Sequence, residues 1–196
     1  MAHVQLIERP RGVVRRLAFR YSRHEFGRVA DPVAAAAHHA GVLVAWGAVE
    51  TAAGRGWKKL DHSLRGLVVQ LAAMRIGCRW CVDYGYFENV QGGADPDKVR
   101  SVDRWRDSPL FDERERTALE YTDAATASPV EVSTELVERL HRFFDDAQIV
   151  ELASWVALEN FRSRFNAGLG LRSQGFSDSC ELPLAGRGIE VLDDEH

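Results

Sequence analysis

The stretch that decides the fold runs from Asp61 to Gln91 and reads DHSLRGLVVQLAAMRIGCRWCVDYGYFENVQ. Its first half has apolar residues at intervals of three and four, which is typical of a helix with one buried face. These residues are Leu64, Leu67, Val68, Leu71 and Met74. Asp61 is a suitable N-cap for this helix, and Gly77 is a suitable end. A second helix is predicted from Cys78 to Val90, before Gly92 and Gly93.

Two of the three cysteines, Cys78 and Cys81, lie where the second helix begins. A spacing of three residues puts both sulfurs on one helix face, close enough to form a disulfide. The reactive form of cysteine is the thiolate, whose pKa of about 8.5 falls at a helix N-terminus or beside a positive charge. Cys78 lies in the first turn, and Arg75 and Arg79 add positive charge nearby. The pair therefore predicts thiol–disulfide chemistry, in which one sulfur attacks and the other resolves the intermediate.

Two other interpretations of the pair stay open. Both cysteines can be small, inert core residues, or they can contribute to a zinc site. Zinc needs two further ligands at suitable spacing, whereas this sequence has no second Cys-x-x-Cys and its histidines are scattered. We therefore expect no metal and no cofactor. Cys180, near the C-terminus, is expected to be an unpaired thiol.

The rest of the sequence predicts five more helices, most of which start at a capping residue or proline and stop at glycine or proline. They run from Asp31 to about Ala53, Asp95 to Trp105, Asp112 to about Thr126, Ser133 or Thr134 to Phe144, and Asp145 or Asp146 to about Gly168. No segment alternates as a β-strand does. The sequence thus predicts an all-α, single-domain bundle of about seven helices.

This helical domain is expected to span residues 31–172. Residues 1–30 precede it as an arm with seven arginines. A basic amphipathic arm can bind nucleic acid or a membrane surface, but we expect this one to lie across the body or a partner subunit. Residues 173–196 show no periodicity, and we expect this tail to fray or to wrap around a neighbour.

Composition limits the function. The chain has 196 residues, of which 45% are hydrophobic and 28% charged, as in a globular domain of ordinary size. Its net charge of −4 gives no reason to expect nucleic acid or an anionic membrane as a partner. No apolar run reaches the roughly 18 residues of a membrane span. Residues 1–10 lack the apolar core of a secretory signal, so we expect a cytoplasmic protein.

The sequence resembles the carboxymuconolactone decarboxylase and alkylhydroperoxidase-D-like (AhpD-like) superfamily over about residues 57–170. The resemblance rests on Ile76 to Tyr84 (IGCRWCVDY), on the helix start Asp112 to Glu115, and on Asn160 to Asn166 (NFRSRFN). It implies a helical homo-oligomer that reduces small hydroperoxides through Cys78 and Cys81. The electrons would come from a dithiol reductant or a redox partner protein.

The same resemblance assigns the attack on the peroxide to Cys81 and the resolving role to Cys78. The position at the helix terminus instead favours Cys78 as the more acidic thiol. From the sequence, the choice between the two stays open.

Three positions depart from the family's proton relay. The relay has a glutamate twelve residues before the first cysteine and a histidine four residues after the second, where this chain has Gly66 and Gly85. Some members also have a histidine just before the second cysteine, where this chain has Trp80. General acid–base help is worth about 10²–10⁴-fold, so these departures predict reduced or absent peroxidase activity. Because glycine within a helix costs about 1 kcal/mol, we expect Gly85 to make room for a ligand or an aromatic side chain.

Several residues are candidates to replace the relay: Glu88, Tyr84, Tyr86 and Glu159. Each of them can equally be a surface charge or a core side chain, and Asp83 is expected to point elsewhere. Two functions compete with a thiol peroxidase. One is a non-redox enzyme of the decarboxylase type, against which the intact Cys-x-x-Cys argues. The other is a non-catalytic redox sensor or helical scaffold, which Gly66 and Gly85 favour.

Overall fold

The computed structural model describes residues 2–180, which form nine α-helices, two 3₁₀ turns and no β-strand. The helices are α1 (Val13–Phe26), α2 (Asp31–Ala36), α3 (Ala40–Gly56), α4 (His62–Ile76), α5 (Arg79–Gln91), α6 (Pro96–Ser101), α7 (Glu113–Thr126), α8 (Thr134–Leu140) and α9 (Asp146–Gly168). The all-α prediction is confirmed, with nine helices rather than about seven in this range. None of these helices is both long enough and apolar enough to cross a membrane.

The two additional helices lie near the N-terminus. One is α1, which the arginine-rich arm forms between Gly12 and Gly27, and which packs against α2 and α3. The other arises because the predicted helix from Asp31 to Ala53 is interrupted at His39. This residue has extended backbone angles, and its ring accepts a hydrogen bond from the Val42 amide at 3.2 Å, so that a new helix starts there.

The core is built around α4, which packs against α5, α7 and α9. Leu67, Val68 and Leu71 of α4 are fully buried. A helix that is covered on several sides can be apolar nearly all round, which is why α4 has apolar residues beyond a single stripe. Residues of α4 therefore meet α5 on one side and α9 on another, and the cysteine pair lies in this region.

Aspartate caps fix where three of the long helices begin. The side chain of Asp61 accepts a hydrogen bond from the Leu64 amide at 2.9 Å. Asp112 and Asp145 each form a reciprocal capping box, with Glu115 and Gln148 respectively. These starts were predicted from the sequence. The predicted end of α8 at Phe144 is wrong, because α8 stops at Leu140 and residues 141–144 form a turn.

Gly77 ends α4 and orients α5. Its φ of 79° lies in the left-handed region, and its amide donates to the carbonyls of Ala73 and Met74. Cys78 follows in an extended conformation and is the N-cap of α5. The turn therefore sets both the direction of α5 and the position of the first sulfur.

We predict that Gly77→Ala destabilises the protein by roughly 1–2 kcal/mol, since a side chain in the left-handed region meets its own backbone. Gly47→Ala is the matched control, because Gly47 lies in α3 with no atom near an added methyl group. The control should be neutral or stabilising by about 0.5–1 kcal/mol. Urea unfolding of both variants tests this, and equal free energies of unfolding for the two would contradict it.

Candidate redox site at the start of α5

Cys78 and Cys81 form a disulfide, with their Cα atoms 5.3 Å apart. Both residues are buried, with 0% of Cys78 and 7% of Cys81 exposed. The Sγ of Cys78 accepts a hydrogen bond from the Cys81 amide at 3.2 Å. Within residues 2–180, no group of three or more His, Cys, Asp or Glu side chains is arranged to hold a metal ion.

Helix α9 supplies a polar contact to the second sulfur. Asn166 Nδ2 lies 3.2 Å from Cys81 Sγ, and the Asn166 side chain is buried. An amide N–H directed at sulfur stabilises a thiolate, because it donates to the charged form. The two sulfurs therefore have different sources of stabilisation: the N-terminus of α5 acts on Cys78, and Asn166 acts on Cys81.

Aromatic side chains cover the pair. Trp80 stacks on Tyr84 with ring centroids 5.3 Å apart, and Phe26 of α1 meets Tyr84 edge-on at 5.0 Å. Phe176, from the segment after α9, packs against both Trp80 and Tyr84. This cluster makes the surroundings of the disulfide apolar, which strengthens the few polar contacts the sulfurs have.

Asp83 holds the segment that carries Phe176. Its carboxylate accepts hydrogen bonds from the amides of Gln174, Phe176 and Ser177, and from the Ser177 hydroxyl, at 2.7–3.1 Å. Burial alone would raise the pKa of Asp83, but these donors keep it below its usual value. Asp83 thus stays charged and fixes residues 173–177 over α5. Its importance was missed by sequence reasoning, which placed it away from the site without a partner.

The first residues of the tail pack against their own chain, while the expectation that the rest frays or wraps around a neighbour stays a prediction. Gln174 accepts hydrogen bonds from the Trp80 indole at 2.6 Å and from the Asp31 amide at 2.9 Å, so it joins α5 to the start of α2. Residues 173–180 lie on their own chain, while residues 181–196 are outside the described part. The side chain of Cys180 is also outside it, and its expected unpaired state stays a prediction.

The space at the first relay position is filled from the opposite helix. Gly66 of α4 lies against Asn89 of α5, and a methyl group added to Gly66 would overlap the Asn89 Oδ1. The amide of Asn89 donates to the carbonyls of Gly66 at 3.4 Å and of Gly85 at 2.8 Å. A neutral buried amide therefore lies where the family glutamate would be.

At the second relay position the roles of the helices are exchanged, because here a side chain of α4 fills the space beside a glycine of α5. A methyl group added to Gly85 of α5 would overlap Oε1 of Gln70 from α4. Gln70 is fully buried and donates to the Val82 carbonyl at 3.2 Å. The expectation that Gly85 makes room for a ligand or an aromatic ring is wrong, since an amide occupies the space. Gln70 and Asn89 each lie four residues after the glycine of their own helix, so the two helices exchange amides symmetrically.

The candidate replacements for the relay differ in burial and in protonation state. Glu88 is exposed on α5. Burial and the nearby carboxylates of Glu88 and Glu25 raise the pKa of Tyr84, so it remains a neutral phenol near pH 7. Tyr86 is fully buried in the main core, and its hydroxyl has no hydrogen-bond partner among the described residues.

Glu159 is the carboxylate candidate that the structure places in the interior, on α9. Its side chain is buried, and it accepts a hydrogen bond from the Ser163 hydroxyl at 2.6 Å. Arg162 reaches its other oxygen at 3.3 Å. Burial is the main cause that raises the pKa of Glu159 to about 7, against the partial offset from Arg162 and Ser163.

Residues 40–124 match the carboxymuconolactone decarboxylase family. This stretch includes the cysteine pair, both glycines and the capped start of α7. Residues 40–124 are therefore a carboxymuconolactone decarboxylase family region. The resemblance seen in the sequence is thereby confirmed.

Among relatives of this protein, the uncharacterised protein YnjA of Escherichia coli K12 is 36% identical over 124 residues, which are 63% of this chain and 66% of YnjA. A solved protein of unknown function from Agrobacterium tumefaciens, suggested to be an antioxidant defence protein AhpD, is 26% identical with a TM-score of 0.63. That match covers 66% of this chain and 88% of the other.

A wider structural match is the debrominase Bmp8, with a TM-score of 0.74 over 84% of this chain and 88% of Bmp8. At 19% identity, this likeness shows the fold alone. Together with the Agrobacterium protein, it confirms that the all-α architecture of this protein is an AhpD-like helical fold.

We predict that Gly85→Ala destabilises the protein by roughly 1–3 kcal/mol, because the added methyl group would overlap Oε1 of the fully buried Gln70, which has to shift. In the double variant Gly85→Ala/Gln70→Ala the added methyl group has room, so the loss should be smaller than the sum of the single losses by more than about 0.5 kcal/mol. Urea unfolding gives these free energies. The control is Gly47→Ala combined with Gln70→Ala, whose losses of unfolding free energy should add. If the losses also add for Gly85→Ala with Gln70→Ala, then Gln70 does not pack against Gly85 and the prediction is wrong.

We also predict that Glu159 makes stability fall as pH rises. Since the raised pKa means that the folded state holds this proton more tightly than the unfolded chain, its stabilisation is full below about pH 4.5 and lost by about pH 7. Glu159→Gln should therefore lose less stability than wild type between pH 4.5 and 8, by roughly 1–3 kcal/mol. Urea unfolding at both pH values measures this, with exposed Glu88→Gln as the control. Parallel behaviour of wild type and Glu159→Gln would contradict the assignment.

Proposed function

We propose that this protein is a thiol oxidoreductase of the AhpD-like type that reduces small hydroperoxides through a Cys78/Cys81 dithiol–disulfide cycle. The observation that supports this most strongly is the pair itself: two sulfurs within bonding distance at a helix N-terminus, one of them touching a buried amide donor. Such an arrangement favours thiolate over thiol, as a redox-active cysteine requires.

In the cycle, one thiolate attacks the terminal oxygen of the hydroperoxide and breaks the O–O bond. The sulfur becomes a sulfenic acid, and an alcohol leaves after gaining a proton. The second thiol then attacks the sulfenic sulfur, the S–S bond forms and water leaves. A dithiol reductant or a redox partner protein returns the pair to two thiols and is itself oxidised to a disulfide.

The burial of each cysteine and the hydrogen-bond donors near each sulfur suggest which cysteine attacks and which resolves. We assign the attack on the peroxide to Cys81, since Cys81 is slightly less buried than Cys78 and its sulfur accepts a hydrogen bond from Asn166. Cys78, fully buried at the N-cap, is the resolving cysteine. The acidity argument for Cys78 remains compatible with this, because a resolving thiol also reacts as the thiolate.

The surroundings also favour certain partners. The aromatic cover leaves little of either sulfur exposed, which suits a small substrate rather than a large one. Apolar side chains protrude from α1 and α3, among them Val13, Leu17 and Val44, each more than half exposed. We propose that this surface is buried in a homo-oligomer and that the protein works in the cytoplasm.

A non-catalytic redox sensor or scaffold is the second candidate, and the amides at the relay positions favour it. Gln70 and Asn89 cannot exchange protons near neutral pH, so the family's relay has no counterpart at its usual place. A non-redox enzyme of the decarboxylase type fits less well, because it has no need for a disulfide-forming pair.

The proposed function predicts peroxide consumption by the purified protein in excess dithiol. Cys81→Ser should abolish it, because no thiolate is then left at the reacting position. Cys78→Ser should stop turnover after about one equivalent, because the sulfenic acid is not resolved. Cys180→Ser is the matched control and should retain the wild-type rate.

Hydroperoxide assays in the four proteins separate the alternatives. If wild type and Cys81→Ser are equally inactive while the disulfide still forms and is reduced, the sensor or scaffold is the better description. A fifth protein, Cys78→Ser/Cys81→Ser, tests the non-redox enzyme, because an activity on a small lactone or acid that survives in it would point to that alternative.

A further inference from the structure

One face of α9 leads from a buried carboxyl group to the redox pair. Glu159, Ser163 and Asn166 are spaced by four and three residues, so they line a single face, and all three are buried. Ser163 donates to Glu159 at 2.6 Å, and Asn166 Nδ2 lies 3.2 Å from Cys81 Sγ. Polar groups thus run along α9 from Glu159 to the sulfur.

The remaining atom of this path is the carboxamide oxygen of Asn166. It is buried and has no hydrogen-bond partner among the described residues. A buried carbonyl oxygen is normally satisfied, and a water molecule is a common partner. The amide of Asn166 does not itself exchange protons near neutral pH. Since Ser163 lies one helical turn before Asn166, a single water held by both side chains can carry a proton between the carboxyl group and Cys81.

The charges next to Glu159 let it change protonation state. Arg162 lies 3.3 Å from Glu159 but binds Glu50 of α3 more closely, at 2.7 Å through Nε and by a second contact through Nη2. One arginine is therefore shared between two carboxylates and is already neutralised by Glu50. Glu159 is left with only partial compensation for burying a negative charge.

The other helices around α9 bring few charges to this face. The buried side of α4 has Gln70 as its polar side chain, and the buried carboxylate of α7, Glu115, pairs with Lys98 at 2.7 Å. From α5, exposed Glu88 acts on Arg162 through space, and Tyr84 stays neutral. The proton equilibrium of Glu159 is thus set mainly by Arg162, Glu50 and burial.

We propose that Glu159 is the proton store of the redox pair, acting through Ser163 and a water held by Asn166 in place of the relay that Gly66 and Gly85 lack. It takes the proton of the Cys81 thiol as the thiolate forms. It returns that proton to the leaving oxygen when the O–O bond breaks, so that an alcohol leaves rather than an alkoxide. Glu159 does not touch Cys81; Asn166 is the positioning residue between them. This inference rests on the proposed function for its substrate, but the link between Glu159 and Cys81 can be measured without peroxide.

The test uses two readouts on the full chain. In a Cys78→Ser/Cys180→Ser background, Cys81 is the sole thiol, and absorbance at 240 nm from pH 5 to 10 follows its thiolate. Glu159→Gln removes a negative charge and should lower the thiol pKa of Cys81. In the background with all cysteines, the same substitution should slow peroxide consumption by about tenfold or more and remove its inflection near pH 7. A more acidic thiol that nevertheless reacts more slowly is not the result of a merely structural defect.

Two variants keep the test decisive. Ser163→Ala interrupts the path without changing charge and should also slow consumption, while Glu88→Gln should change neither readout. An unchanged thiol titration and an unchanged pH profile in Glu159→Gln would overturn the inference even if wild type consumes peroxide. If wild type consumes none but Glu159→Gln shifts the thiol titration, the link between Glu159 and Cys81 stands and the proposed substrate is wrong.

Discussion

The left-handed turn at Gly77 is the constraint on which the rest of the site depends. It ends α4, places Cys78 as the N-cap of α5, and sends α5 back along α4. The sulfur of Cys78 thereby lies at the positive end of a helix dipole, and Cys81 follows one turn later facing Asn166 of α9. The chemistry of the pair thus depends on how α4 and α5 are connected. The aromatic side chains that cover the pair, and the segment that Asp83 holds by hydrogen bonds, pack against this connection.

The interface between α4 and α5 shows how this protein differs from the AhpD-like relay pattern. Glycines at the two relay positions let the helices approach, and each helix places an amide over the glycine of the other. Gln70 and Asn89 keep this interface polar but uncharged at every physiological pH. A charged relay cannot coexist with them in the same space, so any titrating group has to come from elsewhere. The interior carboxyl group of α9 is positioned to be that group.

Much of this could be predicted from the sequence, because it depends on local signals. Asp61, Asp112 and Asp145 each precede a segment with helical apolar periodicity, so each can be identified as an N-cap. The cysteine spacing by itself predicts a disulfide. The exchange of Gln70 and Asn89 could not be predicted, since it depends on how two helices face each other. Asp83 was missed for the same reason: its partners lie more than ninety residues later in the chain. The break at His39 was hidden by an alanine-rich run whose helix propensity favours continuity.

The most direct test of the account is a redox titration of the native protein. The protein is equilibrated with mixtures of oxidised and reduced dithiothreitol, its free thiols are alkylated after denaturation, and the modified cysteines are identified by mass. The account predicts that Cys78 and Cys81 pass together and reversibly between dithiol and disulfide, while Cys180 is alkylated in every mixture. Free thiols at Cys78 and Cys81 in the most oxidising mixture, or a disulfide that includes Cys180, would contradict it.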